Sequence, residues 1–115
     1  DAGRDQGIDD GRRWAPETPG LDVLIGEQAR LGFDPATAEG DHEATIAFAN
    51  CPFRELAEQQ PHLICALHRG LVEGLVSCFA DVEIERFHTL VDRRPCQVDL
   101  RIEEPPVPVD VAAPA

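Results

Sequence analysis

The chain has 115 residues, which suits one domain with a modest core, since 43% of them are hydrophobic. Its 22 acidic residues outnumber 10 basic ones, and the net charge of −12 argues against direct nucleic-acid binding, because phosphate contacts require a basic surface. No stretch approaches the ~20 apolar residues that span a bilayer, and no apolar leader is visible at the start. The sequence therefore predicts a soluble cytoplasmic protein that has no membrane contact and does not bind DNA by itself.

The first half of the chain predicts one helix and one strand. Residues 1–20 have few apolar side chains and much glycine and aspartate, so they are predicted to be a linker or weak helix anchored by Trp14. Apolar residues at helical spacing follow over residues 21–33, and Gly32 is the expected C-cap of that short amphipathic helix. Alternating apolar residues over 43–50 then predict a strand.

A long helix over residues 61–79 is the clearest element of the second half, because its apolar residues recur at helical spacing. A short helix over residues 52–59 precedes it, and both begin at a proline, which favours the first helical position. Two extended segments follow at 81–91 and 96–102, and a turn is predicted between them at 93–95.

These elements predict an α+β fold in which a small antiparallel sheet of about three to four strands packs against one long helix, with a helical segment before it. We expect residues 1–20 to be a linker and residues 21–102 to be the folded domain. Residues 103–115 are rich in proline and alanine, and are predicted to be a disordered tail.

Four cysteines in a chain without a secretion signal suggest metal ligands or buried apolar side chains rather than disulfides. Cys65 and His68 lie three residues apart on the predicted long helix, so a thiolate and an imidazole share one helical face. Cys51 lies just before the short helix, and Cys96 begins the last strand on its inward face. Cys51, Cys65, His68 and Cys96 are therefore predicted to form a Cys3His site for zinc or an iron–sulfur cluster.

The remaining cysteine, Cys78, is predicted to be a buried apolar residue, because an unbroken helix places it ~20 Å from Cys65 along the axis. A break at Gly70 or Gly74 would keep it available as a ligand. The four predicted ligands can also be interpreted as residues of the protein core that bind no metal. Free cysteine is among the most buried residue types, and a histidine on an apolar face is usually a hydrogen-bonded core residue.

Motifs of the common enzyme classes are absent from the sequence, so the chain is predicted not to be an enzyme. Ser77 is the only serine, which leaves almost no material for serine-nucleophile chemistry. A thiolate–imidazole pair of Cys51 and His68 is the remaining catalytic alternative, but no third group that would orient the imidazole is evident. The other histidines, His42, His62 and His88, are predicted to lie at the surface.

Several short motifs together resemble a known family of regulators. They are L-G-F-D-P at 31–35, N-C-P-F at 50–53, L-I-C-x-L-H-x-G-L at 63–71 and P-C-x-V-x-L at 95–100. This pattern, within residues 21–102, resembles the C-terminal domain of bacterial ArsR-like winged helix-turn-helix transcriptional regulators. Among these it is similar to the branch that contains the repressor of the Suf iron–sulfur assembly operon.

The resemblance implies a regulatory domain that senses a metal or cluster and contributes to a homodimer, while a helix-turn-helix domain expected to lie outside this chain binds DNA. In the Suf repressor branch, cysteines placed like Cys51, Cys65 and Cys96 are associated with an iron–sulfur cluster. The Cys-x-x-His at 65–68 and the longer interval before Cys96 depart from that branch, so zinc and a role for Cys78 stay open. The alternative is a domain that binds a small organic effector in an apolar pocket between helix and sheet, without a metal.

Overall fold

A computed structural model of the chain describes residues 2–88 and 96–103. In chain order its elements are α1 (Ala2–Arg12), α2 (Gly20–Leu31), β1 (Pro35–Glu39), β2 (Glu43–Phe48), α3 (Arg54–Gln59), α4 (Pro61–Val76), β3 (Val82–His88) and β4 (Gln97–Ile102). The four strands form one antiparallel sheet, and α4, the longest of these helices, packs on it. The predicted α+β fold class is therefore confirmed.

The sheet has the strand order β1-β2-β4-β3, so its two central strands come from distant parts of the sequence. Ile46 of β2 lies opposite Val98 of β4, and both are fully buried. Because side chains alternate between the two faces of a strand, the same face of β2 and β4 carries the apolar residues. The buried side chains on this face are Ala44, Ile46, Phe48, Val98 and Leu100.

Helix α2 ends at the predicted C-cap, Gly32. This glycine has a φ of 97°, in the left-handed region that a side chain with a Cβ adopts only with strain. Its N–H donates to the carbonyl of Ala29, and the N–H of Phe33 donates to the carbonyl of Gln28 at 3.0 Å. The turn carries Phe33, which is fully buried, into the core just before β1 begins.

The predicted pair of helices in the middle of the chain is also present, with shifted ends. α3 begins at Arg54, two residues later than predicted, and α4 begins at Pro61 as predicted. α4 ends at Val76 rather than at residue 79, because the amides of Cys78 and Phe79 donate to carbonyls three residues back and tighten the chain into a turn.

The N-terminal segment differs most from the sequence-based expectation. A linker or weak helix was expected over residues 1–20, and the structure forms the helix α1 over residues 2–12 and packs it along α4. Of the two alternatives, the structure shows the helix, and this helix packs on α4 instead of extending away from the domain. The physical reason is that Gly3, Gly7 and Gly11 lie on one face of α1, where the absence of side chains lets its backbone touch α4.

Two predictions fall largely outside the described residues: the turn at 93–95 and the tail at 103–115, of which only Glu103 is described. The N–H of Glu103 donates to the carbonyl of Asp81 at 2.8 Å, which extends the pairing of β4 with β3 by one bond. Among the described helices, none has the length and apolar character needed to cross a bilayer.

Candidate thiol site

Three of the four predicted ligands come from three separate segments that meet at one end of the sheet. Cys51 follows β2, and Cys96 immediately precedes β4. Since β2 and β4 are antiparallel neighbours, the end of one strand lies beside the beginning of the other, and the N–H of Phe48 donates to the carbonyl of Cys96 at 2.9 Å. Cys65 lies in the first half of α4, where His68 contacts Phe48 at the end of β2. We call Cys51, Cys65 and Cys96 the thiol site.

Cys96 lies close enough to Cys51 and Cys65 for both thiols to act on its protonation. Burial, together with smaller contributions from the thiols of Cys51 and Cys65, raises the pKa of the Cys96 thiol to about 11. Only 4% of Cys96 is exposed, Cys65 is also buried, and Cys51 is half-buried. Cys96 is thus a protonated thiol at neutral pH, and it must lose its proton before it can ligate a metal.

His68 lies one turn after Cys65 on α4 and is held inside the core. Its Nε2–H donates to Oε1 of Gln28, with 2.7 Å between the two atoms. Its ring stacks on that of Phe33, with centroids 3.7 Å apart and planes 5° from parallel. Phe48 and Phe87 contact the same ring edge-on. Burial lowers the pKa of His68 to about 3, so the imidazole is neutral at physiological pH.

The position of His68 bears directly on the predicted Cys3His site. Its Nε2 is already bonded to Gln28, so the lone pair that remains for a metal is on Nδ1. Within residues 2–88 and 96–103, no three histidine, cysteine, aspartate or glutamate side chains stand in a metal-ligating arrangement. The donor types suit a soft metal such as zinc or iron. The thiols gather in one region, whereas the imidazole is engaged in the core.

Cys78 lies elsewhere, at the far end of α4. The helix runs without a break through Gly70 and Gly74, so ~16 Å of helix separates Cys65 from Val76, and Cys78 lies beyond that end. The half-buried Sγ of Cys78 lies 3.6 Å from the carbonyl oxygens of both Ile8 and Gly74. Its environment is therefore the contact between α1 and the end of α4.

The remaining histidines occupy the surface or the outer face of the sheet. His42 and His62 are exposed. His88 is half-buried and its Nε2 lies 3.2 Å from Oδ2 of Asp99, which also accepts hydrogen bonds from Thr45 and Gln97. These bonds hold the pKa of Asp99 below its usual value although burial acts in the opposite direction.

Sequence reasoning missed two features around the site. One is Gln28, whose role as the partner of His68 has no local signal because 40 residues separate the two. The other is the docking of α1, for which a signal was present. Gly3, Gly7 and Gly11 recur every four residues and therefore share one helical face, and Gly70 and Gly74 repeat that spacing on α4.

A surface depression of about 400 Å³ lies next to the thiol site, at the start of α3. Its lining residues run from Pro52 to Leu56, directly after Cys51.

Comparisons with known protein families, curated proteins and solved structures find no match to this chain. The resemblance to ArsR-like regulators therefore remains a prediction carried by the quoted motifs.

Proposed function

We propose that this chain is the regulatory part of a helix-turn-helix transcriptional regulator and that its thiol site holds a zinc ion or an iron–sulfur cluster. The observation that carries the proposal is the gathering of Cys51, Cys65 and Cys96 from three separate segments at one end of the sheet. His68, the predicted fourth ligand, would have to use Nδ1 or give up its bond to Gln28.

The chemistry of the three thiols supports this function. Thiolates are the preferred protein ligands of zinc and of iron–sulfur clusters. All three are free cysteines, so each sulfur is available as a ligand. Because burial keeps Cys96 protonated, binding of a metal at neutral pH would release its proton, and affinity would rise with pH.

Occupancy of the site would alter how α4 sits on the sheet. A bound metal would connect α4 through Cys65 to the end of β2 through Cys51 and to the beginning of β4 through Cys96. Loss of a zinc ion, or oxidative breakdown of an iron–sulfur cluster, would remove these three connections and free the helix. In a homodimer, this change would reposition DNA-binding domains that lie outside this chain, and the exposed face of α2 would add to the dimer interface.

The test is anaerobic purification of the chain followed by an absorption spectrum and elemental analysis. Near-stoichiometric iron with a visible absorption band would identify an iron–sulfur cluster. A colourless sample with stoichiometric zinc would identify a zinc site. Purified protein that contains neither metal, and takes up neither when reconstituted, would contradict the proposal.

The second candidate function is binding of a small organic effector without a metal. The depression lined by Pro52–Leu56 favours it, because Phe53 and Leu56 leave apolar surface exposed there. Native mass spectrometry distinguishes the two functions: an added organic mass on metal-free protein would favour the effector, and a metal mass would favour the first proposal.

A further inference from the structure

α1 docks on α4 through backbone contact rather than through apolar side chains. The buried residues of α1 are Gly3, Gly7, Asp10 and Gly11. A Cβ added to Gly3 would lie 2.7 Å from the carbonyl oxygen of Leu67, and one added to Gly7 would overlap the carbonyl oxygen of Leu71. These positions thus have no room for any side chain, and the two helices touch at the closest approach that their backbones permit.

Two glycines of α4, Gly70 and Gly74, face the backbone of α1. A Cβ added to Gly70 would lie 2.9 Å from the backbone nitrogen of Arg4, and one added to Gly74 would overlap the carbonyl oxygen of Arg4. We call this contact the glycine seam; its residues are Gly3, Gly7, Gly11, Gly70 and Gly74. A gap of about 0.5–1 Å between two atoms in contact removes a quarter to a half of their dispersion energy. A small displacement of α4 would therefore weaken the binding of α1.

The thiol site and the glycine seam lie on the same rigid helix. Cys65 and His68 occupy the first half of α4, and Gly70 and Gly74 follow within the next two turns. From Cys65 to Gly74 the distance along the axis is ~14 Å at 1.5 Å per residue. A shift or tilt of α4 at the thiol site would therefore reach the seam without passing through a loop.

A second connection runs through two adjacent residues of α2. Gln28 is bonded to His68 of α4. Its neighbour Glu27 accepts from Arg13, and Arg13 also donates to Asp10 of α1, both at 2.9 Å. Glu27, Gln28 and Asp10 are all at most 5% exposed. α1 is thus connected to the environment of His68 both along α4 and across α2.

From these contacts we infer that α4 couples the thiol site to the docking of α1, so that a change at either end alters the other. Resting on the proposed function, this coupling means that occupancy of the thiol site controls whether α1 is held against α4. Because coupling between two sites is reciprocal, undocking α1 must change the accessibility of the thiols. That consequence can be measured without any metal.

The experiment compares Gly7→Leu with Asp9→Leu in the full chain. Gly7 lies in the seam and Asp9 on the exposed face of α1, so the second variant controls for the added leucine. Iodoacetamide labelling rates of Cys65, Cys78 and Cys96 are read from their peptides by mass spectrometry. Gly7→Leu is expected to accelerate labelling of Cys78, which α1 covers, and to accelerate Cys65 and Cys96 at least about fivefold. Asp9→Leu should leave all three rates unchanged.

Two results would overturn the coupling. One is faster labelling of Cys78 with unchanged rates at Cys65 and Cys96, and the other is no change at any of the three. Circular dichroism checks that the variant folds. If Gly7→Leu unfolds, Gly11→Ala replaces it as a milder change, because the added carbon would lie 2.8 Å from the Cys78 Sγ. Zinc titration of the unaltered chain tests the proposed function separately, since labelling can reveal coupling even if zinc does not bind.

Discussion

Gln28 and His68 form a neutral, fully enclosed hydrogen bond that joins α2 to α4 across 2.7 Å. Both side chains are at most 5% exposed, and the ring of Phe33 covers the imidazole from one side. The bond fixes which nitrogen of His68 carries the proton and holds α4 one turn away from Cys65. It therefore stabilises the core, and it keeps the proton of His68, the predicted fourth ligand, on Nε2.

Replacing Gln28 with alanine should lower the free energy of unfolding by about 1–3 kcal/mol, because the buried Nε2–H of His68 would lose its acceptor. Urea denaturation monitored by circular dichroism measures the change. Gln59→Ala, on the exposed surface of α3, is the matched control and should change the stability little. Equal effects of the two substitutions would show that the hydrogen bond contributes nothing.

Acidification of the metal-free protein should destabilise it through His68. The folded-state pKa is lowered to about 3 by burial, whereas an unfolded histidine titrates near 6.5. Below pH 6.5 the unfolded state therefore binds more protons than the folded state. The free energy of unfolding is highest above pH 6.5 and decreases as the pH falls towards 3. Between pH 7 and pH 5 the loss should be about 2 kcal/mol.

His68→Gln serves as the control for that pH dependence, since it removes the titrating ring and keeps an N–H donor for Gln28. Denaturation at pH 7 and pH 5 should show a much smaller difference in this variant. An unchanged pH dependence would mean that another group causes the acid sensitivity. The interval above pH 5 is chosen because Glu27 and Asp99, whose pKa values are lowered, stay ionised there.

The proposed ligands can be separated from Cys78 by a pair of conservative substitutions. Cys65→Ser should abolish metal binding, because it removes one of the three thiols of the site. Cys78→Ser should retain it, since its sulfur lies against α1 at the other end of α4. Elemental analysis of both variants after anaerobic purification gives the metal content per chain. Equal retention in both variants would exclude Cys65 as a ligand.

Replacing glycine with alanine should change the stability in opposite directions at Gly74 of α4 and Gly26 of α2. Gly74→Ala should destabilise the protein by about 1–3 kcal/mol, because the added Cβ overlaps the carbonyl of Arg4 and forces the helices apart. Gly26→Ala should stabilise it by about 0.5–1 kcal/mol, since the nearest atom is a Trp14 carbon 4.0 Å away and alanine favours a helix. Thermal or urea denaturation measures both. A stabilising Gly74→Ala would contradict the glycine seam.

The sequence by itself determined those features whose cause is local. Gly32 ends α2 because a left-handed residue is needed there, and Pro61 begins α4 because its ring suits the first helical turn. Alternation of side chains marked the inward face of β2 and β4, which was enough to predict the fold class. In each case the residues that decide the structure are neighbours in the chain.

Only the tertiary structure decided the features that depend on distant partners. The composition of residues 1–20 predicts a linker or weak helix, because glycines weaken a helix, yet contact with α4 makes the glycines at 3, 7 and 11 the docking face of α1. His68 shares a helical face with Cys65 and was predicted as a ligand, but whether its nitrogen faces a metal or an amide depends on Gln28, 40 residues away. Local spacing restricts which face a side chain occupies, whereas the packing of other elements against that face determines what the side chain contacts.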